Sequence, residues 1–193
     1  MTIRREIDLP DPCLVVLVGP AGSGKSTLAG RHFGRSEILA SDAFRARIGA
    51  GEADQAVSRT AFTVLHAALA RRLARGLLTV VDATSVTIRP RRSLLERARA
   101  ARLPAVAVVL ALPVEDCLAS DAGRPGRHVP PDVIRAQWRA MEESLAVPGR
   151  LIAEGFAAVH VLGSRAEIDA LTIGRSPVEL SRQRRDAARP RNP

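Results

Sequence analysis

Tyrosine is absent from this chain, and tryptophan occurs once, at Trp138. With four phenylalanines, aromatic residues make up only 3% of the sequence. A core must therefore be built from Ala, Val, Leu and Ile. The two cysteines, Cys13 and Cys117, offer neither metal-ligand spacing nor a disulfide framework. They read as two buried thiols of a cytoplasmic protein. His32, His66, His128 and His160 share no metal spacing either. No apolar run approaches the roughly 20 residues that a membrane-spanning helix needs, and the N-terminal residues lack the apolar stretch of a secretory signal. Scarcest of all is lysine. Of 29 Lys and Arg residues, 28 are arginine, and the one lysine is Lys25.

Arginine dominates what is present. The formal net charge is +9 over 193 residues. In residues 174–193, six arginines stand against Glu179 and Asp186, so this segment carries +4 and the first 173 residues carry +5. A basic balance suits polyanionic partners such as nucleic acid. Enrichment in Arg, Ala and Pro fits a proteome-wide compositional bias equally well. Length and a hydrophobic content of 46% suit one domain with a sizeable core.

The lone lysine sits in Gly19-Pro20-Ala21-Gly22-Ser23-Gly24-Lys25-Ser26-Thr27. The spacing G-x-x-x-x-G-K-[ST] is that of a phosphate-binding P-loop. A slim ammonium can reach the β- and γ-phosphates of a nucleotide as a point charge, where a planar guanidinium would not fit. The apolar run Cys13-Leu14-Val15-Val16-Leu17-Val18 before it reads as a strand buried on both faces, and Ser26 to Phe33 as a helix start. Backbone N–H groups of Ala21, Gly22, Ser23, Gly24 and Lys25 would face phosphate oxygens, aided by the positive end of the helix. Ser26 would place its hydroxyl on Mg²⁺.

Strand and helix patterns then alternate. Strands are expected at 14–18, 37–40, 77–81, 105–112 and 157–162. Helices are expected at 25–33, 54–75, 89–102, 114–121, 130–147 and 167–173. In the long helix Val57, Ala61, Val64, Leu65, Ala68 and Leu69 share an apolar face, with Asp54 as its N-cap. The pattern predicts an α/β fold with a five-stranded parallel sheet covered by helices on both faces. Residues 1–173 would form that domain and 174–193 a basic, disordered tail. Ligands bind beyond the carboxyl ends of such strands.

Three groups fall at those ends: the P-loop, Asp42 and Asp82. Asp42 could accept a proton from an acceptor hydroxyl, or merely cap the helix starting at Ala43. Arg45, one turn on, could hold a phosphate on the acceptor. Asp82 could hold Mg²⁺-bound water or only shape a turn. Arg124 and Arg127, in the Gly- and Pro-rich stretch 120–128, could close over the nucleotide or stay solvated. Arg71, Arg72, Arg75, Arg89, Arg91 and Arg92 form either a basic rim for nucleic acid or, more simply, solvated helix faces.

These residues together resemble the kinase module of bacterial polynucleotide kinase-phosphatase, a P-loop 5′-kinase of RNA repair, and more distantly phage polynucleotide kinase. The resemblance runs through the P-loop, Leu39-Ala40-Ser41-Asp42 with Arg45, and Asp54-Gln55. It continues through Leu78-Thr79-Val80-Val81-Asp82-Ala83-Thr84, Val106-Ala107-Val108-Val109, Arg124, Arg127 to Val129, and Glu154-Gly155-Phe156. It implies a sheet order 2-3-1-4-5 with a lid, and ATP with Mg²⁺ as donor. Gly19 and the loop through Thr27, with Arg124 and Arg127, would bind the nucleotide, and Ser26 and Asp82 the metal. Lys25, Asp42 as general base, Arg45 and Arg124 would serve the transfer of phosphate to a 5′-hydroxyl nucleic-acid end. The family usually has Asn where Ser85 stands and Arg where Ser120 stands. Its phosphatase and ligase modules find no counterpart, so the expectation is a lone cytoplasmic kinase with a separate phosphatase or ligase partner. Two rival readings share the same motifs: a kinase of a nucleoside, sugar acid or antibiotic hydroxyl, and a nucleotide-gated binding protein with weak ATPase activity.

Overall fold

The computed structural model describes residues 5–48, 55–125 and 128–178. It begins with a strand that the expected elements did not include, β1 (Arg5–Asp11), whose buried residues are Ile7 and Leu9. Next come β2 (Leu14–Val18), α1 (Lys25–His32), β3 (Ile38–Ala40), α2 (Ser41–Ile48) and α3 (Gln55–Ala74). They are followed by β4 (Thr79–Asp82), α4 (Ile88–Ala100), β5 (Ala105–Leu110), α5 (Val114–Ala122) and α6 (Pro131–Leu145). The described chain closes with α7 (Arg150–Glu154), β6 (Ala158–Leu162), α8 (Arg165–Asp169) and β7 (Leu171–Pro177).

Five of the strands form one parallel sheet in the order β3-β4-β2-β5-β6. In chain order of the five expected strands this is 2-3-1-4-5, as the resemblance implied. Side chains alternate across the central strands, because successive residues of a strand point to opposite faces. Leu14, Val16 and Val18 join Val81, Ala107 and Val109 on one face, where Leu65, Leu69 and Leu73 of α3 and Leu94 and Leu95 of α4 cover them. Val15 and Leu17 join Val80, Val106 and Val108 on the other, under Leu28 and Ala29 of α1 and Ile134 of α6. Val64 of the expected α3 face is exposed, and the side chain of Val57 lies outside the described residues. Asp54 and its capping role lie outside the described residues.

The C-terminal end corrects the expected pattern. The helix expected at 167–173 is α8, which stops at Asp169. From Leu171 the chain turns extended and pairs in parallel with β1, Arg5 against Leu171 through Asp11 against Pro177. The expected domain boundary at Gly174 therefore falls inside a strand. Arg175 is no tail residue: it donates two hydrogen bonds to Glu37, at 2.8 and 2.9 Å, and lies over the Phe33 ring. Among the described residues no helix is long and apolar enough to cross a membrane.

Candidate active site

Because all five strands of the main sheet run parallel, their C-terminal ends open on one side. There a cavity of about 780 Å³ gathers groups from five segments of the chain. The loop after β2 forms its floor through Ala21, Gly22, Gly24, Lys25, Ser26 and Thr27. Gly22 adopts φ +76°, and a Cβ there would stand 2.0 Å from the carbonyl oxygen of Cys117. Only glycine lets this loop pass so close beneath α5. Gly19 and Ser23 do not line the cavity. The Gly19 N–H donates to Thr84 O at 3.1 Å, and Ser23 is fully buried. The Ala21 N–H, expected to face phosphate, is taken by Gln137 Oε1 of α6 at 2.8 Å.

Lys25 is 8% exposed. Its ammonium donates to Pro20 O at 2.7 Å and to Ser23 Oγ at 3.4 Å. Burial pushes its pKa down to about 8, against the opposing pull of Asp82. Ser26, in the first turn of α1, donates to Asp82 Oδ2 at 2.6 Å. Asp82 is the last residue of β4 and is buried. A hydroxyl and a carboxylate at this separation are hard oxygen donors of the kind Mg²⁺ takes, often sharing the ion with substrate phosphates. Among the described residues no group of three or more His, Cys, Asp or Glu could hold a metal by itself. The donor set therefore fits an ion that arrives with a nucleotide.

Asp42 and Arg45 both line the cavity. They lie in the first turns of α2, which begins directly where β3 ends. Arg45 donates to Asp42 Oδ1 at 2.5 Å and to Ser41 Oγ at 3.2 Å. Its Nε is buried without a partner. The loop joining α5 to α6 stands opposite and contributes Arg124, His128, Val129 and Pro130. Asp121 anchors this loop by accepting from the Val129 N–H at 2.8 Å. Arg127 lies outside the described residues.

Several site residues carry no motif. Arg165, the first residue of α8, reaches the cavity wall and donates to the Ser120 hydroxyl. Its Nη1 lies 3.4 Å from where a Cβ on Gly24 would stand. A guanidinium thus occupies the neighbourhood of the position where the resembled family carries an arginine on α5. Gln137 and Thr84 also line the cavity. Arg91, expected in a solvated or nucleic-acid-binding face, is instead fully buried. Its Nε and Nη2 bond both oxygens of Glu154, at 2.7 and 2.6 Å, while Nη1 donates to Ser85 O at 3.0 Å. Ser144 of α6 also bonds Arg91, and donates to Val86 O. This buried pair ties the loop after β4 to α6 and α7. Arg72 is likewise engaged within the fold, at Thr79 Oγ1 and Leu78 O.

A family model described as an AAA domain matches residues 14–148. This chain belongs to that AAA-domain family. The matched span carries every site group named above except Arg165 and Glu154. The AAA domain here has a kinase-like P-loop fold, and similar solved structures bear that out. One is from the Pnkp1/Rnl/Hen1 RNA repair complex, with TM-score 0.60 and 23% identity over 72% of this chain and 46% of that one. This chain thus spans less than half the length of that protein. A gluconokinase from Sinorhizobium meliloti has TM-score 0.51 and 18% identity, covering 83% and 87% of the two chains. Kti12 from Chaetomium thermophilum, in complex with ADP-AlF3, has TM-score 0.55 and 18% identity, covering 81% and 93%. No curated protein matches the sequence.

Proposed function

We propose that this AAA domain is an ATP-dependent kinase acting on the 5′-hydroxyl of a nucleic-acid end. The observation that carries the reading is the Asp42–Arg45 pair in the wall of the P-loop cavity. A hydroxyl acceptor needs a carboxylate near the donor phosphate. A polynucleotide end brings in addition a phosphodiester next to its terminal nucleoside, which a guanidinium is suited to hold. A sugar acid has no such phosphate.

ATP bound with Mg²⁺ supplies the phosphoryl group. Ser26 and Asp82 would hold the ion, and Lys25 would neutralise the phosphates. Asp42 would accept the proton of the attacking hydroxyl as the O–P bond forms and the bond to the departing diphosphate breaks. An acceptor phosphate would draw Arg45 away from Asp42 Oδ1, exposing that oxygen to the hydroxyl. Arg124 would stabilise charge on the moving group. Transfer of this kind depends on positioning and charge far more than on covalent chemistry.

The test is transfer of labelled γ-phosphate from ATP to 5′-hydroxyl oligonucleotides, with gluconate and nucleosides as rival acceptors. Asp42→Asn is expected to lower kcat by about 10²–10⁴-fold. Arg45→Ala is expected to raise KM for oligonucleotides but not for a free nucleoside. Transfer to gluconate alone, or full activity in the Asp42 variant, refutes the reading.

A further inference from the structure

A second, smaller pocket of about 280 Å³ opens beside the P-loop cavity. Ser41, Arg45, Ala83, Thr84 and Gln137 line both, so the two adjoin at the Ser41–Arg45 side. Away from that rim the walls turn apolar: Phe62 and Leu65 of α3, Val81 of β4, and Val86, Pro90 and Leu94 around the start of α4. Its size lies just under the range typical of sites for drug-sized ligands, about 300–1,000 Å³. It has room for one ring system but not for a chain.

We infer that this pocket receives the 5′-terminal base of the acceptor, a flat nitrogen heterocycle. The inference rests on the kinase reading above and specifies which acceptors that kinase takes. Three observations carry it. The pocket adjoins the pair that would handle the acceptor hydroxyl. Its walls are apolar and include an aromatic edge, Phe62 against His66, with ring centroids 6.3 Å apart and planes 62° apart. It also holds polar atoms without partners. Ser85 Oγ and Arg45 Nε are buried and unbonded, and Ser85 as a whole is only 5% exposed.

A base has two apolar faces and a few hydrogen-bonding edge atoms, which matches a greasy slot with isolated polar groups. A sugar acid carries a hydroxyl on nearly every carbon. Each one buried here without a partner would cost about tenfold in affinity. His66 is held in place by Ser93, whose hydroxyl lies 3.4 Å from Nδ1. Burial, seconded by Arg97, keeps this imidazole below its usual range, so it adds no charge to the wall at neutral pH.

The experiment compares two 5′-hydroxyl oligonucleotides that differ only in the terminal residue, one with its base and one abasic. The abasic end is expected to show a kcat/KM about tenfold lower, mostly through KM. Thr87→Trp would fill the pocket mouth. Thr87 is exposed and makes no side-chain capping bond at α4, so the variant should fold. It is expected to collapse the tenfold ratio between the two ends toward one. Equal use of both ends by the native chain, or a ratio unmoved by Thr87→Trp, overturns the inference while leaving 5′-kinase activity standing. A second arm is independent of catalysis: titration calorimetry of adenosine and of D-gluconate into the full chain with the donor site filled by ADP. Adenosine binding that Thr87→Trp abolishes supports the pocket even if no oligonucleotide is phosphorylated, in which case only the polynucleotide reading falls. Absent adenosine binding, or gluconate binding lost in Thr87→Trp, overturns it.

Discussion

Lys25→Met should stabilise the nucleotide-free protein, by an amount that depends on pH in a defined window. The ammonium is nearly buried, and its pKa falls from 10.5 to about 8 on folding. At 1.36 kcal/mol per unit, the folded chain pays on the order of 3 kcal/mol to keep it charged. Its folded pKa lies below its unfolded one. Between about pH 8 and pH 10.5 the unfolded chain therefore holds more protons, and stability rises with pH. The penalty is present in full below pH 8 and lifted above 10.5. The chain is unusually suited to this measurement, because no tyrosine and no second lysine titrate in that range. The two thiols act in the opposite sense. Burial raises Cys13 to about 12 and raises Cys117 too, so both cost stability once the unfolded thiols ionise near pH 9. Cys13 is common to both proteins and drops out of the difference; Cys117, which Lys25 pulls downward, leaves a smaller remainder at high pH. Met also gives up the hydrogen bond to Pro20 O, about 1 kcal/mol, which offsets the gain by a constant. Urea unfolding of native and Lys25→Met chains from pH 7 to 11, free of Mg²⁺ and nucleotide, reads the effect. The advantage of the variant should shrink by about 3 kcal/mol between pH 7 and 11. A difference that stays flat across that window would refute the buried-ammonium argument.

Arg165→Ala should raise KM for ATP about tenfold, the loss expected for one charge-assisted contact of about 1.5 kcal/mol. Adding Ser120→Arg to that variant should restore most of the loss, and steady-state kinetics with varied ATP decides it. Glu154→Gln leaves Arg91 charged and buried without its partner, which should cost about 3–5 kcal/mol and lower Tm by about 10 °C or more. Replacing Arg91 and Glu154 together by Leu should cost far less, a contrast that thermal unfolding resolves. Gly22→Ala drives a methyl into the Cys117 carbonyl, so it should abolish ATP binding in calorimetry and lower Tm.

The central sheet could be read from sequence because its signals are local. Cys13 to Val18, Leu77 to Val81 and Ala105 to Leu112 are short apolar runs between turn residues, and each became a buried strand. In a parallel sheet the carboxylates at the strand ends, Asp42 and Asp82, share the P-loop's edge. The missed strands are of another kind. In β1 only Ile7 and Leu9 turn inward, around the charged Asp8, and the partner strand lies some 166 residues away in sequence. No local pattern encodes such a pairing.

Arg165 was equally invisible. It is a charged residue opening a five-residue helix beyond the last strand of the main sheet, and it lines the cavity only because α8 brings it near Gly24 and Ser120. Arg91 is different, for its burial was written in the helical spacing. It stands three, four and seven residues before Leu94, Leu95 and Ala98, the buried face of α4. A charge placed on the apolar stripe of a helix must find a partner or destabilise the fold. Glu154, in the Glu-Gly-Phe stretch before β6, is that partner. Gly155 follows with φ +118°, a backbone conformation that L side chains rarely adopt, so the turn that presents Glu154 favours glycine at this point. Among many arginines, then, the informative one is the one whose position contradicts its chemistry. Through Ser85 O it fixes the loop that lies between the P-loop cavity and the pocket beside it.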